Sequence, residues 1–245
     1  PLSFEIEVKK PVVEQSEFYV TMVIDGCGNA VARPNPAKER EKIQLTAKPD
    51  KGHHFKEWQA TSGTSGKIMI TNDKFTMPAE NVTVKAIFEA DTYTVGLNAN
   101  GGTIASGKDV TSYTYGTGAA LPTADDMTYT GHTFKGWYDN EGLTGNPVMT
   151  IGDTETGNKA YWAKWMINQY TITFDTAGGS EIAPITQDYG TTITAPEAPT
   201  KSGYTFMGWS PALPATMPAE NMTITAQWAV NQYTVTFDTA GGSVK

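Results

Sequence analysis

The residues able to do chemistry are few, and their spacing works against it. His53, His54 and His132 are the natural candidates for metal binding or acid–base work. His53 and His54 are adjacent, so on a strand they point to opposite faces and cannot hold one ion together. His53 and His132 stand where a third copy of the same motif carries Tyr204, a position that suits a ring packed at the edge of a core. Asp25, Asp175 and Asp238, with Asn98 as their counterpart, each precede a glycine-containing turn, where the side chain is expected to cap its own backbone rather than bind a metal. No loop alternates Asp and Asn ahead of a distal Glu in the manner of a calcium loop. The Gly-Gly pairs lead neither into a helix nor into Gly-Lys-Ser/Thr, which argues against a phosphate cradle. Cys27 is the single cysteine and lies in a Gly-rich turn with no basic or histidine neighbour to activate it. Ser, His and Asp are present, but no histidine has a nucleophile context. The reading is a non-catalytic chain with no cofactor and no metal.

The elements that position these residues are repetitive. Gly-x-x-Phe-x-x-Trp occurs as Gly52 to Trp58, Gly131 to Trp137 and Gly203 to Trp209, so one unit is used at least three times. Each motif is preceded by a strand ending in a turn: Tyr19 to Ile24 with Asp25 to Asn29, Tyr93 to Leu97 with Asn98 to Gly102, and Tyr170 to Phe174 with Asp175 to Gly179. Each is followed by a closing strand. Aligned on their last aromatic, these strands read Val84/Ala86/Phe88, Tyr161/Ala163/Trp165 and Ile224/Ala226/Trp228 on one face, and Lys85/Ile87, Trp162/Lys164 and Thr225/Gln227 on the other. An apolar face alternating with a mixed face is a strand lying over a core, which would gather the motif Phe, the motif Trp and the terminal aromatic. Trp162 on the mixed face and Tyr138 beside Trp137 are the candidate ligand-binding residues, because an exposed ring stacks on a sugar or on a protein partner.

The expected organisation is a linker or the end of a preceding module over 1–17, where Phe4 to Val8 alternates like a half-buried strand, then modules at 18–90, 91–167 and 168–229. Residues 230–245 open a fourth module, with Tyr233 to Gly242 repeating the earlier opening almost letter for letter. Four residues separate each terminal aromatic from the next opening Tyr: Glu89 to Thr92, Met166 to Gln169, and Ala229 to Gln232. Such uniform linkers predict serial modules at a set spacing, an elongated array. The fold class is mostly β, α+β at most. A formal net charge of -8 argues against nucleic acid as a partner. One cysteine leaves each module to be held by packing alone, and no run reaches the roughly 18 apolar residues of a membrane span. The chain begins without Met and ends inside a repeat, so it reads as a fragment whose targeting signals lie outside it.

Tyr-Thr-(Ile/Val)-Thr-Phe-Asp-Thr-Ala-Gly-Gly, Tyr189-Gly190-Thr191, Pro199 to Trp209 and the terminal Ala226-Gln227-Trp228 closely resemble the internalin-type B repeat, also called the Listeria/Bacteroides repeat. The resemblance is strongest over 168–228, extends over 92–165, and over 18–89, with Thr76 to Val84 ahead of Phe88, takes the form of the divergent repeat. It implies small β-grasp-like modules in tandem on secreted or wall-attached bacterial surface proteins, serving as spacers and adhesion modules, with a host or cell-surface protein or glycan as partner. The leucine-rich repeats that carry receptor binding in internalins are absent from this chain, so that function does not transfer. In a bacterial protein the sequons at Asn81 and Asn221 are accidental matches.

Overall fold

A computed structural model describes residues 16–64, 66–238 and 240–242. The expected strand Phe4 to Val8 lies outside them. The chain divides into two compact units: the first runs to Val95 and includes Val110–Ala120 and Thr150–Lys159, and the second holds Gly96–Asp109, Leu121–Met149 and the chain from Ala160 onward. Both are built from strands, and the described residues contain no α-helix.

In the first unit the chain lays down β1 (Glu17–Phe18), β2 (Val20–Asp25), β3 (Gly28–Arg33), β4 (Ala37–Lys38), β5 (Lys42–Pro49), β6 (His53–Ser62), β7 (Gly66–Ile68), β8 (Lys74–Thr76) and β9 (Val82–Ala90). They form a four-stranded sheet in the order β2-β9-β6-β7 and a three-stranded sheet β3-β5-β8, with β1 paired to β4. The core between them is aliphatic: Ile43, Leu45, Val82, Val84 and Met77 are almost wholly shielded. The following strands are β10 (Thr92–Asn98), β11 (Thr103–Ile104), β12 (Ser112–Thr114) and β13 (Ala119–Ala120). A 3-10 turn at Ala124–Asp126 leads to β14 (Met127–Thr128), β15 (His132–Tyr138), β16 (Thr150–Ile151) and β17 (Lys159–Ile167). Within the first unit Tyr93 pairs opposite Tyr113, and β13 pairs with β16.

The second unit pairs β11 with β14 and β15 with β17. It ends in β18 (Gln169–Asp175), β19 (Ile185–Asp188), β20 (Tyr204–Ser210) and β21 (Met222–Val230), in the order β19-β18-β21-β20 around Ile172, Met217 and Ile224. The opening strand runs parallel to the closing strand, as β2 does to β9 and β18 to β21, while the motif strand is antiparallel to it. On the closing strands Val84, Ala86 and Phe88, then Tyr161 and Ala163, then Ile224 and Ala226 are buried, as alternation requires.

Phe and Trp stand three residues apart in the motif, which on a regular strand would place them on opposite faces. A β-bulge in each copy resets the phase, the register shifting between Phe55 and Glu57, Phe134 and Gly136, and Phe206 and Gly208. Phe and Trp then meet, with ring centroids 4.6 Å apart for Phe55 and Trp58, 5.6 Å for Phe134 and Trp137, and 5.2 Å for Phe206 and Trp209. The second glycine of the opening turn lies beneath the terminal aromatic. A Cβ at Gly102 would sit 2.2 Å from Trp165, and one at Gly179 would sit 2.6 Å from Trp228.

The expected ring-centred core is present in part. Phe88 and Trp137 are buried and Phe55 and Trp58 pack half-buried against Phe88, whereas Phe134, Trp165, Phe206, Trp209 and Trp228 are half-buried at the margin of a core whose most shielded side chains are mainly aliphatic. An indole needs a partner for its N–H, and the core margin supplies one: Trp58 donates to Asp73 Oδ1, Trp165 to the Ala99 carbonyl and Trp228 to the Thr176 carbonyl. The stretch Tyr233 to Asp238, whose sequence repeats the earlier openings, has no strand partner among the described residues, and Tyr233, Val235 and Phe237 are exposed.

Candidate functional site

The residues with chemical potential serve the fold. Asn98 Oδ1 accepts from the Asn100 N–H, Asp175 Oδ1 from the Ala177 N–H and Asp238 Oδ1 from the Ala240 N–H, all at 2.9–3.0 Å. Asp25 departs from the expected self-capping, since its carboxylate pairs with Lys85 Nζ at 2.6 Å. The sequon asparagines are acceptors too: Asn81 Oδ1 receives the Tyr19 N–H and Asn221 Oδ1 the Thr171 N–H, each at 2.8 Å. Cys27 is exposed. Among the described residues no group of three His, Cys, Asp or Glu side chains is placed to hold a metal.

Tyr138 and Trp162 face each other across β15 and β17. Tyr138 is buried, with Lys164 Nζ 5.0 Å above its ring and the same ammonium donating to the Leu143 carbonyl at 3.2 Å. Trp162 is half-buried. The Lys164 ammonium thus lies between the Tyr138 ring and the Leu143 carbonyl, and little of the tyrosine is open to solvent.

The most regular polar constellation is one that residue types alone did not single out. It lies where one copy passes into the next, and each instance is contained within a single unit. At the first, the Asp91 N–H donates to the Gly52 carbonyl at 2.8 Å and the Asp91 carbonyl accepts from the Tyr115 N–H at 2.9 Å. Its carboxylate lies 2.9 Å from His54 Nδ1 and accepts from the Tyr93 hydroxyl at 3.1 Å. Burial first, and then the Asp91 carboxylate, hold the Tyr93 phenol above its ordinary pKa. At the second, Asn168 donates to the Gly131 carbonyl and accepts from the Tyr189 N–H, both at 2.9 Å. Thr133 Oγ1 donates to Asn168 Oδ1 at 2.6 Å, and Asn168 Nδ2 donates to the Tyr170 hydroxyl at 3.3 Å. At the third, Asn231 donates to the Gly203 carbonyl at 2.9 Å, accepts from Thr205 Oγ1 at 2.6 Å and donates to the Tyr233 hydroxyl at 3.3 Å.

Each clasp therefore uses one Asx residue as a pivot, fixed through both its backbone and its side chain. The tyrosine of the next copy closes over the motif glycine: a Cβ at Gly52 would lie 2.3 Å from the Tyr115 ring, and one at Gly131 2.1 Å from that of Tyr189. His53 and His132 add edge contacts to those tyrosines at 5.4 and 6.1 Å. The first two four-residue linkers are consequently strand apart from the pivot: β9 reaches Ala90 and β10 begins at Thr92, while β17 reaches Ile167 and β18 begins at Gln169. The repeated Asn-Gln-Tyr and the Tyr-Gly-Thr of the second and third copies were the available signals. What they lacked was the spatial closure onto glycine.

Serial small sheets whose polar residues go into turns and clasps define a class of repeat protein. The chain matches the divergent InlB B-repeat domain over residues 19–92. It matches the Listeria-Bacteroides repeat domain twice, over 93–164 and 170–227. It belongs to this internalin-type repeat family. A Gly-rich membrane protein of Evansella cellulosilytica is 34% identical over 204 residues, 78% of this chain and 22% of that protein. Another membrane protein of the same organism is 35% identical over 66% of this chain and 25% of its own length. Internalin H of Listeria monocytogenes is 27% identical over 91% of this chain and 40% of its own. The chain thus spans only 22–40% of the length of these relatives. No described helix is long and apolar enough to cross a membrane.

Proposed function

We propose that the chain is a non-catalytic spacer within a secreted or cell-wall-attached bacterial surface protein, made of β-grasp-like modules at 18–90, 91–167 and 168–229. The observation that carries this is the recurrence of the Asx clasp at successive module boundaries, since a spacer must limit bending where its modules meet. The parallel pairing of opening and closing strands supports the β-grasp-like reading. Membership of the internalin-type family supports a surface location and an adhesion role. Limited proteolysis tests the spacer. The wild-type chain should resist cleavage around Asp91 and Asn168, and Gly131→Val should open the second site alone. Ready cleavage of the wild type at both boundaries would contradict it. A signal peptide and a wall anchor in a full-length sequence would support this location, and the lack of both there would contradict it.

A second reading, a glycan- or protein-binding module, rests on Trp162, whose ring is half-buried beside Tyr138 and takes the place of Lys85 and Thr225 in the other copies. Binding on a glycan array or in a pull-down that Trp162→Ala abolishes would support it; retention by that variant would remove it.

A further inference from the structure

Beside Trp137 lies a cavity of about 320 Å³, contained in the second unit and lined among others by Leu121, Phe134, Trp137, Val148, Met149 and Lys135. Its walls are apolar. Trp137 is almost wholly buried and its indole N–H already donates to the Pro122 carbonyl at 2.8 Å, so it backs the cavity, and Phe134, Val148 and Met149 supply the apolar surface open to a ligand. Met149 is 74% exposed, leaving a flexible thioether free to adapt to whatever enters. The volume is at the lower end of small-molecule sites, which suits one compact apolar group.

The charged group at this cavity sets it apart from its counterparts. Lys135 is the bulged residue between Phe134 and Gly136, and among the described residues it has no ion pair or hydrogen bond. The same position in the first copy is Lys56, whose ammonium is neutralised by Glu89, and in the third copy it is Met207. At this bulged position the middle copy alone, among the described residues, has an unpaired cation, and it borders an apolar cavity in a chain whose net charge is -8. A ligand that satisfies both features has a branched apolar body and a single carboxylate.

We infer that the cavity beside Trp137 is a binding site for an aliphatic carboxylate, with the hydrocarbon against Phe134, Val148 and Met149 and the carboxylate at Lys135. This goes beyond the spacer role and does not depend on it. The probe is 4-methylpentanoate, with 4-methylpentanamide as its uncharged isostere, titrated into the full chain while the Trp137 indole N–H resonance is followed by NMR. The acid should shift that resonance saturably in the millimolar range and bind more tightly than the amide. Lys135→Met, which installs the residue of the third copy, should weaken the acid about threefold and leave the amide unchanged, in keeping with an exposed charge contact. Val148→Trp, built to fill the cavity, should remove both responses while the amide spectrum stays dispersed. No saturable shift with either probe would overturn the inference, as would equal binding of acid and amide or an affinity indifferent to Lys135→Met. A peptide ending in leucine, compared with its amidated form, distinguishes a chain terminus from the free acid as the source of the carboxylate.

Discussion

Tyr189 lies against Gly131 so closely that a Cβ on the glycine would fall 2.1 Å from the tyrosine ring. Gly203, its equivalent in the third copy, has a similar positive φ, 78° against 70°, but among the described residues no atom lies within 4 Å of its would-be Cβ. The pair separates backbone strain from clasp geometry. Gly203→Ala should cost about 1–2 kcal/mol, the strain of a left-handed non-glycine residue. Gly131→Ala should cost that plus about 1–3 kcal/mol for displacing the tyrosine. Chemical denaturation of the two variants measures the difference, and equal costs would mean the contact contributes nothing.

Asn168 is held by two side-chain hydrogen bonds, one accepted from Thr133 and one donated to Tyr170. Asn168→Ala should destabilise by about 1–2 kcal/mol. Asn168→Asp should be far milder, because Asp91 performs the same task in the first clasp by accepting from the Tyr93 hydroxyl. An aspartate variant as damaging as the alanine variant would show that the amide donor is essential.

Trp137 is 1% exposed and hydrogen-bonded, whereas Trp209 is half-buried against Phe174 and Phe206. Alanine at either should cost about 3–5 kcal/mol, with Trp137 at the upper end. Thermal melts of each variant test the order. An unchanged melt for Trp209→Ala would mean that its ring faces solvent and is available to a ligand.

The Asp126 carboxyl is held below its ordinary pKa of 3.8 first by the Thr123 backbone N–H, then by the Thr123 hydroxyl and Lys108. A carboxylate depressed by folding adds stability above its unfolded pKa and loses it as pH falls through the lower folded value. The 3-10 turn at Ala124–Asp126 should therefore loosen below about pH 4. Asp126→Asn should flatten this acid limb of the stability profile; an unaltered limb would assign it to other carboxylates.

The repeating strands were legible because alternation and the Gly-x-x-Phe-x-x-Trp spacing are local signals. The bulge was implicit in that spacing, since Phe206 and Trp209 share a side only if the strand slips by one residue. Asp25 was misread because its turn resembles the others while Lys85, two positions before its register partner Ile87, reaches it from the neighbouring strand, a partner visible only in the sheet. The clasp was hidden for a similar reason. Gly52 and Tyr115 belong to different copies, and nothing in either neighbourhood states that they touch. The place of Tyr138 next to Trp137 says nothing of its burial, which depends on Lys164 on the neighbouring strand.

The central claim, that successive repeats are clasped through an Asx pivot rather than freely tethered, is tested most directly by amide hydrogen exchange at Asn168 and Tyr189. Their N–H groups donate to Gly131 and Asn168 respectively, so both should exchange as slowly as the strand amides around them. Gly131→Val should release these two while amides within β18 and β21 stay protected. Rapid exchange at both positions in the wild-type chain would contradict the account.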